Sequence, residues 1–282
     1  MNAENTSHFR NVVVLWLLAS VIATPIIVFI VGPGLPPGKG TVQAAGQVTD
    51  NTVLLALATP VALGVLVYMA YALWAFRERN PEVVTDGAPI RGNSSVQFWW
   101  LIVTTVLVLF LAGYGTVRLL ADGSGGGQGP NPIAVPAAPA GTSVLPVQVI
   151  AQQWQFTYRW PTYGGVETRA IELPANTLIR LNVTSLDVIH SFWAYELGVK
   201  ADANPGENNV AYVTTKAPLT FHVRCAELCG LWHGYMFNSG TVVPKAQFAL
   251  WIAQQQRQYA PATKNLPPYS KTYFPIPLRR GG

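Results

Sequence analysis

The sequence predicts a membrane-anchored all-β protein, in which transmembrane helices lead into a Greek-key β-sandwich. Three observations carry that reading. Residues 11–38, 51–76 and 92–117 contain no charged side chain, and each run exceeds the roughly 20 apolar residues that cross a bilayer as a helix. Charged residues return at ordinary density after about residue 143. From there, β-branched and aromatic residues alternate between turn signals at the spacing of a sandwich or barrel.

Residues 1–50 form an N-terminal apolar segment and loop. Its length suits a retained helix, while Val42-Gln43-Ala44 suits cleavage of a secretory leader, and both readings stay open. Residues 51–120 form a two-helix transmembrane hairpin. Its first helix tolerates Pro60 and Gly64 because neighbours in a membrane re-satisfy the freed backbone. Its second opens with Gln97 and Phe98-Trp99-Trp100, an aromatic belt at the interface. Gln97 reads either as a headgroup-level side chain or as a proton or helix-contact site.

Arg10 and the loop arginines Arg77, Arg79 and Arg91 place the N-terminus and the hairpin loop in the cytoplasm by the positive-inside rule. The head then lies outside, on the periplasmic or extracellular face of the cell membrane. The net charge of +5 is no nucleic-acid signature, because the head (144–259) holds eight Lys/Arg against seven Asp/Glu. Residues 121–143, rich in Gly and Pro, read as a flexible-to-extended linker that frees the head to dock away from its own helices. Residues 260–282 form a C-terminal tail.

Within the head, 147–160 reads as a strand with Ile150, Trp154, Phe156, Tyr158 and Trp160 on one face. Ile179, Leu181 and Val183 alternate along a second strand, 209–225 gives two strands split at Ala217-Pro218, and 240–244 gives another. A helix over 244–259 places Phe248, Trp251, Ile252, Gln255 and Tyr259 near one face. At about 115 residues, the head is large enough for its own core.

Both cysteines, one of four histidines and one of three methionines fall within 225–236, CAELCGLWHGYM. An oxidising compartment makes a disulfide the bland expectation. The fuller donor set points to soft-ligand metal chemistry, since thiolate, thioether and imidazole favour copper over magnesium or calcium. Strand parity turns Cys225 inward and His222 outward. Two thiolates suit two bridged metals, and each metal then needs an imidazole. The loop supplies His233 alone, so His190, read as closing a strand and opening a loop, is the candidate for the second.

CAELCGLWHGYM matches C-x-E-x-C-x3-H-x2-M, and with DVIHSFWAYELGVKADANPG and QQWQFTY it closely resembles the copper A-containing subunit II of cytochrome c oxidases. The resemblance covers most of residues 50–245. It implies a cupredoxin fold and a binuclear copper centre held by His190, Cys225, Cys229, His233 and Met236, with Glu227 ligating through its carbonyl. It also implies magnesium at the Glu227 side chain, electron acceptance from cytochrome c at Trp154, and subunits I and III as partners. Electrons would pass to haem in subunit I, where oxygen becomes water. No haem attachment motif occurs in this chain.

Three positions depart from the family pattern. Gln97 stands where a proton-feeding glutamate is usual, Tyr195 where proline is common, and Glu207 where a basic residue follows Pro-Gly. The near-neutral head leaves the donor open between a soluble and a membrane-bound cytochrome. A thiol-redox protein or copper chaperone is disfavoured by the all-β head, and a disulfide-stapled anchor needs neither histidine nor methionine. A quinol-oxidase subunit would lack the ligands. A copper A nitric oxide reductase subunit remains the alternative, since the difference lies in the partner.

Overall fold

The computed structural model describes residues 3–77, 92–123 and 125–265. Arg79, Arg91, Arg279 and Arg280 and most of the 260–282 tail lie outside them. The chain divides into two compact units, residues 1–35 with 50–116, and residues 36–49 with 117–282.

The first unit is helical. Helix α1 (Ala3–Ile26) runs into a π-helical turn (Ile27–Val31) and a 3-10 turn (Gly32–Gly34). Helices α2 (Val42–Ala75) and α3 (Ser94–Asp122) follow. Three helical stretches, Ser7–Gly34, Val42–Ala75 and Ser94–Ala121, are long and apolar enough to cross a bilayer. Their aliphatic side chains are largely exposed, as a lipid-facing surface requires.

Polar contacts sit between the helices. The Trp16 indole donates to the Pro60 carbonyl at 2.7 Å. Gly64 makes room for it, since a Cβ there would lie 3.4 Å from the indole nitrogen. His8 Nδ1 lies 2.9 Å from the Tyr71 hydroxyl, and Tyr114 donates to Asp50 at 2.8 Å. Small residues and polar side chains are the usual means of holding helices together in lipid.

The second unit is a sandwich of two five-stranded sheets. One has the order β3 (Val166–Thr168), β2 (Gln155–Trp160), β1 (Leu145–Gln152), β5 (Leu178–Ser185), β8 (Asn209–Thr214). The other runs β4 (Ile171–Pro174), β10 (Phe237–Val243), β9 (Leu219–Cys225), β6 (His190–Ala194), β7 (Val199–Ala203). Between them pack Val147, Val149, Phe156, Tyr158, Trp160, Ile179, Leu181, Phe192, Phe221 and Val223. Helix α4 (Lys245–Gln258) covers one edge with Phe248 and Ile252, and a short α5 (Ala260–Thr263) follows it.

Two sequence expectations need correction here. Residues 147–160 are a hairpin of β1 and β2, not one strand. The reversal at 153–154 carries Trp154 off the inward face, and Val147, Val149 and Ala151 fill the core in place of Ile150. His190 opens β6 instead of closing the preceding strand, because 186–189 intervenes as the loop.

The Gly/Pro-rich segment is extended but does not hang free. Gly127 N donates to Lys200 O, and Lys200 N to Gly125 O, on β7 of one sheet. Gln128 N donates to Val210 O, and Val210 N to Gly129 O, on β8 of the other. Ala138 and Val144 pack on Leu178, Val210 and Tyr212. The glycines serve close approach more than flexibility: a Cβ on Gly125, whose φ is +67°, would fall 2.1 Å from Gly198 O. This segment closes the open edge between the two sheets.

Residues 36–49 also belong to the head's unit, although the sequence grouped them with the N-terminal apolar segment. Thr41, Gln43, Ala44 and Val48 are buried there.

Candidate metal centre

The site forms where β9 ends and β10 begins. Leu219, Phe221, Val223 and Cys225 follow strand parity, and the inward three among them are core residues. The loop 226–236 closes on itself, with Cys225 N donating to Met236 O at 3.0 Å. Gly230 supplies the turn at φ +108°, and a 3-10 turn over His233–Tyr235 brings the chain back. Ala226 N donates to Ser191 O, tying the loop to β6 beside His190. Two segments 35 residues apart thus meet.

Their donor atoms converge. Cys225 Sγ and Cys229 Sγ lie 3.8 Å apart, far beyond the roughly 2.05 Å of a disulfide bond, and both thiols are free. The disulfide, the blander of the two sequence readings, is not formed. Cys225 Sγ lies 3.8 Å from His190 Nδ1 and 3.2 Å from Glu227 O. Cys229 Sγ lies 3.5 Å from His233 Nδ1 and 3.8 Å from Met236 Sδ. His190, Cys225 and Cys229 form a group with metal-ligand spacing. His222, on the outer face, is no part of it: its Nδ1 lies 2.8 Å from Glu196 Oε1.

His190 is fully buried, and its Nε2 meets Asp187 Oδ1 at 2.9 Å. That contact leaves Nδ1 and its lone pair toward the sulfurs when Nε2 carries the proton, the arrangement by which an outer carboxylate orients a ligand imidazole. Partial burial raises the Asp187 pKa, but hydrogen bonds from Gln153 N, His190 and Val188 N outweigh it and hold it below the ordinary value. Asp187 was missed in the sequence, although a carboxylate three residues before a candidate ligand was a readable signal.

Burial, with the neighbouring Cys225, pushes the Cys229 thiol up to about 12. Two thiolates this close repel by about 4 kcal/mol at an effective dielectric near 20. Both can ionise together only with cationic charge among them. Buried soft sulfur donors, with the buried His190 imidazole and the half-buried His233 beside them, fit copper.

Trp154 stands against the same loop. Its indole donates to Cys229 O at 3.0 Å, and the Gln153 amide donates to the same carbonyl at 2.9 Å. Glu227 is exposed on the loop, and Gln97 is exposed in the first turn of α3. Tyr195 opens a 3-10 turn (Tyr195–Leu197) and stacks on the His222 ring. Glu207 lies exposed in the turn between β7 and β8.

Residues 165–243 match the family model for the periplasmic domain of cytochrome c oxidase subunit II. Curated relatives include cytochrome c oxidase subunit 2 of Thermostichus vulcanus, 27% identical over 86% of this chain and 85% of that one. That of Synechocystis is 26% identical over 78% and 75%. The solved periplasmic domain of subunit II (CoxB) from Bradyrhizobium japonicum is 30% identical, with a TM-score of 0.40, over 41% of this chain and 95% of that one. The matched region runs from β3 to the end of β10, and over most of its length the chain is similar to cytochrome c oxidase subunit II proteins.

Proposed function

We propose that this chain is the electron-accepting subunit of a haem–copper oxidase, working with a catalytic subunit I and a subunit III at the cell membrane. The observation that supports it most is the convergence of two thiols, two imidazoles, a thioether and a carbonyl at one end of the sandwich. His190, Cys225, Cys229, His233 and Met236 would hold a copper pair with the Glu227 carbonyl. Bound there, the pair supplies one-electron redox chemistry over soft sulfur ligands.

The chain's own residues do the rest. Asp187 orients His190, and the closed loop 225–236 keeps the donors in place before and after an electron arrives. Burial of Cys225, Cys229 and Met236 excludes water from the sulfurs. Trp154 is the contact for a reduced cytochrome c, one hydrogen bond from the backbone of a ligand residue. The exposed Glu227 carboxylate points to a magnesium site shared with subunit I. Gln97 cannot titrate, so protons reach subunit I without it.

Stopped-flow oxidation of reduced cytochrome c by the purified complex tests the reading. Rapid oxidation coupled to oxygen uptake, slowed by Trp154→Phe with the copper spectrum unchanged, is the expected result. Turnover with nitric oxide but not oxygen would replace it with a reductase role.

A further inference from the structure

The polar side chains at the start of the head's unit have a use that the copper loop does not account for. Gly40 N donates to Glu196 O at 2.9 Å, and Lys216 N donates to Gly40 O at 3.0 Å. The Thr41 hydroxyl donates to Leu197 O at 2.7 Å and accepts from Ala44 N at 2.9 Å. Gln43 accepts from Thr214 N at 2.7 Å, and Gln47 donates to Gly198 O at 2.7 Å. Thr41 and Gln43 are 0% and 2% exposed. The start of a helix need not bury its polar side chains or commit them to another segment's backbone, as Thr41 and the first turns of α2 do here.

The approach is also too close to be incidental. A Cβ on Gly38 would fall 2.3 Å from Glu196 Cα, and one on Gly198 would fall 2.6 Å from Ala44 Cα. Both glycines have positive φ. These contacts fall on the turn 195–198, on Thr214 at the end of β8 and on Lys216 just beyond it.

That turn follows β6, which begins at His190, and it carries Glu196. Strand β6 pairs with β9 through Phe192–Cys225, Trp193–Arg224 and Ala194–Val223, then leaves it. At the next step the Glu196 carboxylate takes over. Oε2 accepts from His222 N at 2.9 Å, and Oε1 lies 2.8 Å from His222 Nδ1. The side chain thereby continues the ladder that β6 abandons, three residues before Cys225.

We propose that residues 38–48 are a built-in clamp that positions the copper-ligand strands, acting through Glu196 on the register of β6 against β9. The clamp rests on the copper reading above. Thr41 and Glu196 are positioning residues, and neither is a metal ligand.

The test uses the full-length chain, with Thr41→Val and Glu196→Leu set against the conservative Thr41→Ser and Glu196→Gln. Thr41→Val and Glu196→Leu should weaken copper retention against a chelator by roughly tenfold, the low end of the loss seen for outer-shell partners of a ligand. They should also change the electron-spin hyperfine pattern. In copper-free protein they should speed hydrogen exchange over 190–198 and 219–225. The conservative pair should restore all three.

Where Thr41→Val does not accumulate, Gln47→Leu removes a bond at the clamp's margin and is read in the same way. Parent-like retention, spectrum and exchange in the disruptive variants would overturn the clamp alone. A parent chain that takes up no copper would overturn both the clamp and the copper reading.

Discussion

The two ends of the sandwich handle polar groups in opposite ways. At the clamp end, Thr41, Gln43, Gln47 and Glu196 each meet a backbone donor or acceptor, so that end is electrostatically complete. At the copper end, two buried thiols, two imidazole nitrogens and a thioether face one another at 3.5–3.8 Å. One end is closed by the chain's own hydrogen bonds, and the other is, on the proposed reading, a site for copper. Perturbation should therefore show as lost metal at the copper end and as altered strand geometry at the clamp end.

The largest effect is expected from Cys225→Ser or Cys229→Ser. Either variant removes a shared sulfur, so the whole centre should be lost, not half of it, as measured by copper content and optical spectrum. Asp187→Ala should follow. It frees the His190 ring without touching a donor atom, and copper affinity should fall by about 10–100-fold.

The raised Cys229 thiol gives a pH signature. At neutral pH the copper-free thiol is protonated, so copper uptake must release protons, and affinity should fall as pH falls. In copper-free protein the sign is opposite. The folded thiol at about 12 stands above the ordinary 9.0, so its contribution to stability is intact below pH 9 and is lost as pH rises from there toward about 12. Denaturation midpoints across that window, with and without copper, check both directions.

The smallest effect at the copper centre is expected from Gly125→Ala. Its added methyl meets the Gly198 carbonyl in a left-handed backbone conformation. The head should lose at least about 1 kcal/mol of stability, measured by denaturant titration, while the copper spectrum stays as in the parent.

The copper end was legible in the sequence and the clamp end was not, and the reason is physical. Cys225, Cys229, His233 and Met236 sit within twelve residues, and their chemistry is carried by rare side chains. His190 could be found because the ligand count lacked one imidazole. Glu196, Thr41 and Gln43 are common residues acting through backbone bonds across 26 to 171 positions, and no local pattern marks such pairs. The strand edges that bond the Gly/Pro-rich run, read as a flexible-to-extended linker, were hidden for a related reason. Glycine signals close approach as readily as flexibility, and only the partner strand tells which applies. Helix α4 and the split between β8 and β9 at Ala217-Pro218 were readable because periodicity and proline act locally.

Copper stoichiometry and electron-spin resonance of the full-length chain test the central claim most directly. The account predicts two coppers per chain and a mixed-valence signal delocalised over both. A single copper with a mononuclear spectrum, or a metal-free chain whose two cysteines have joined in a disulfide, would contradict it.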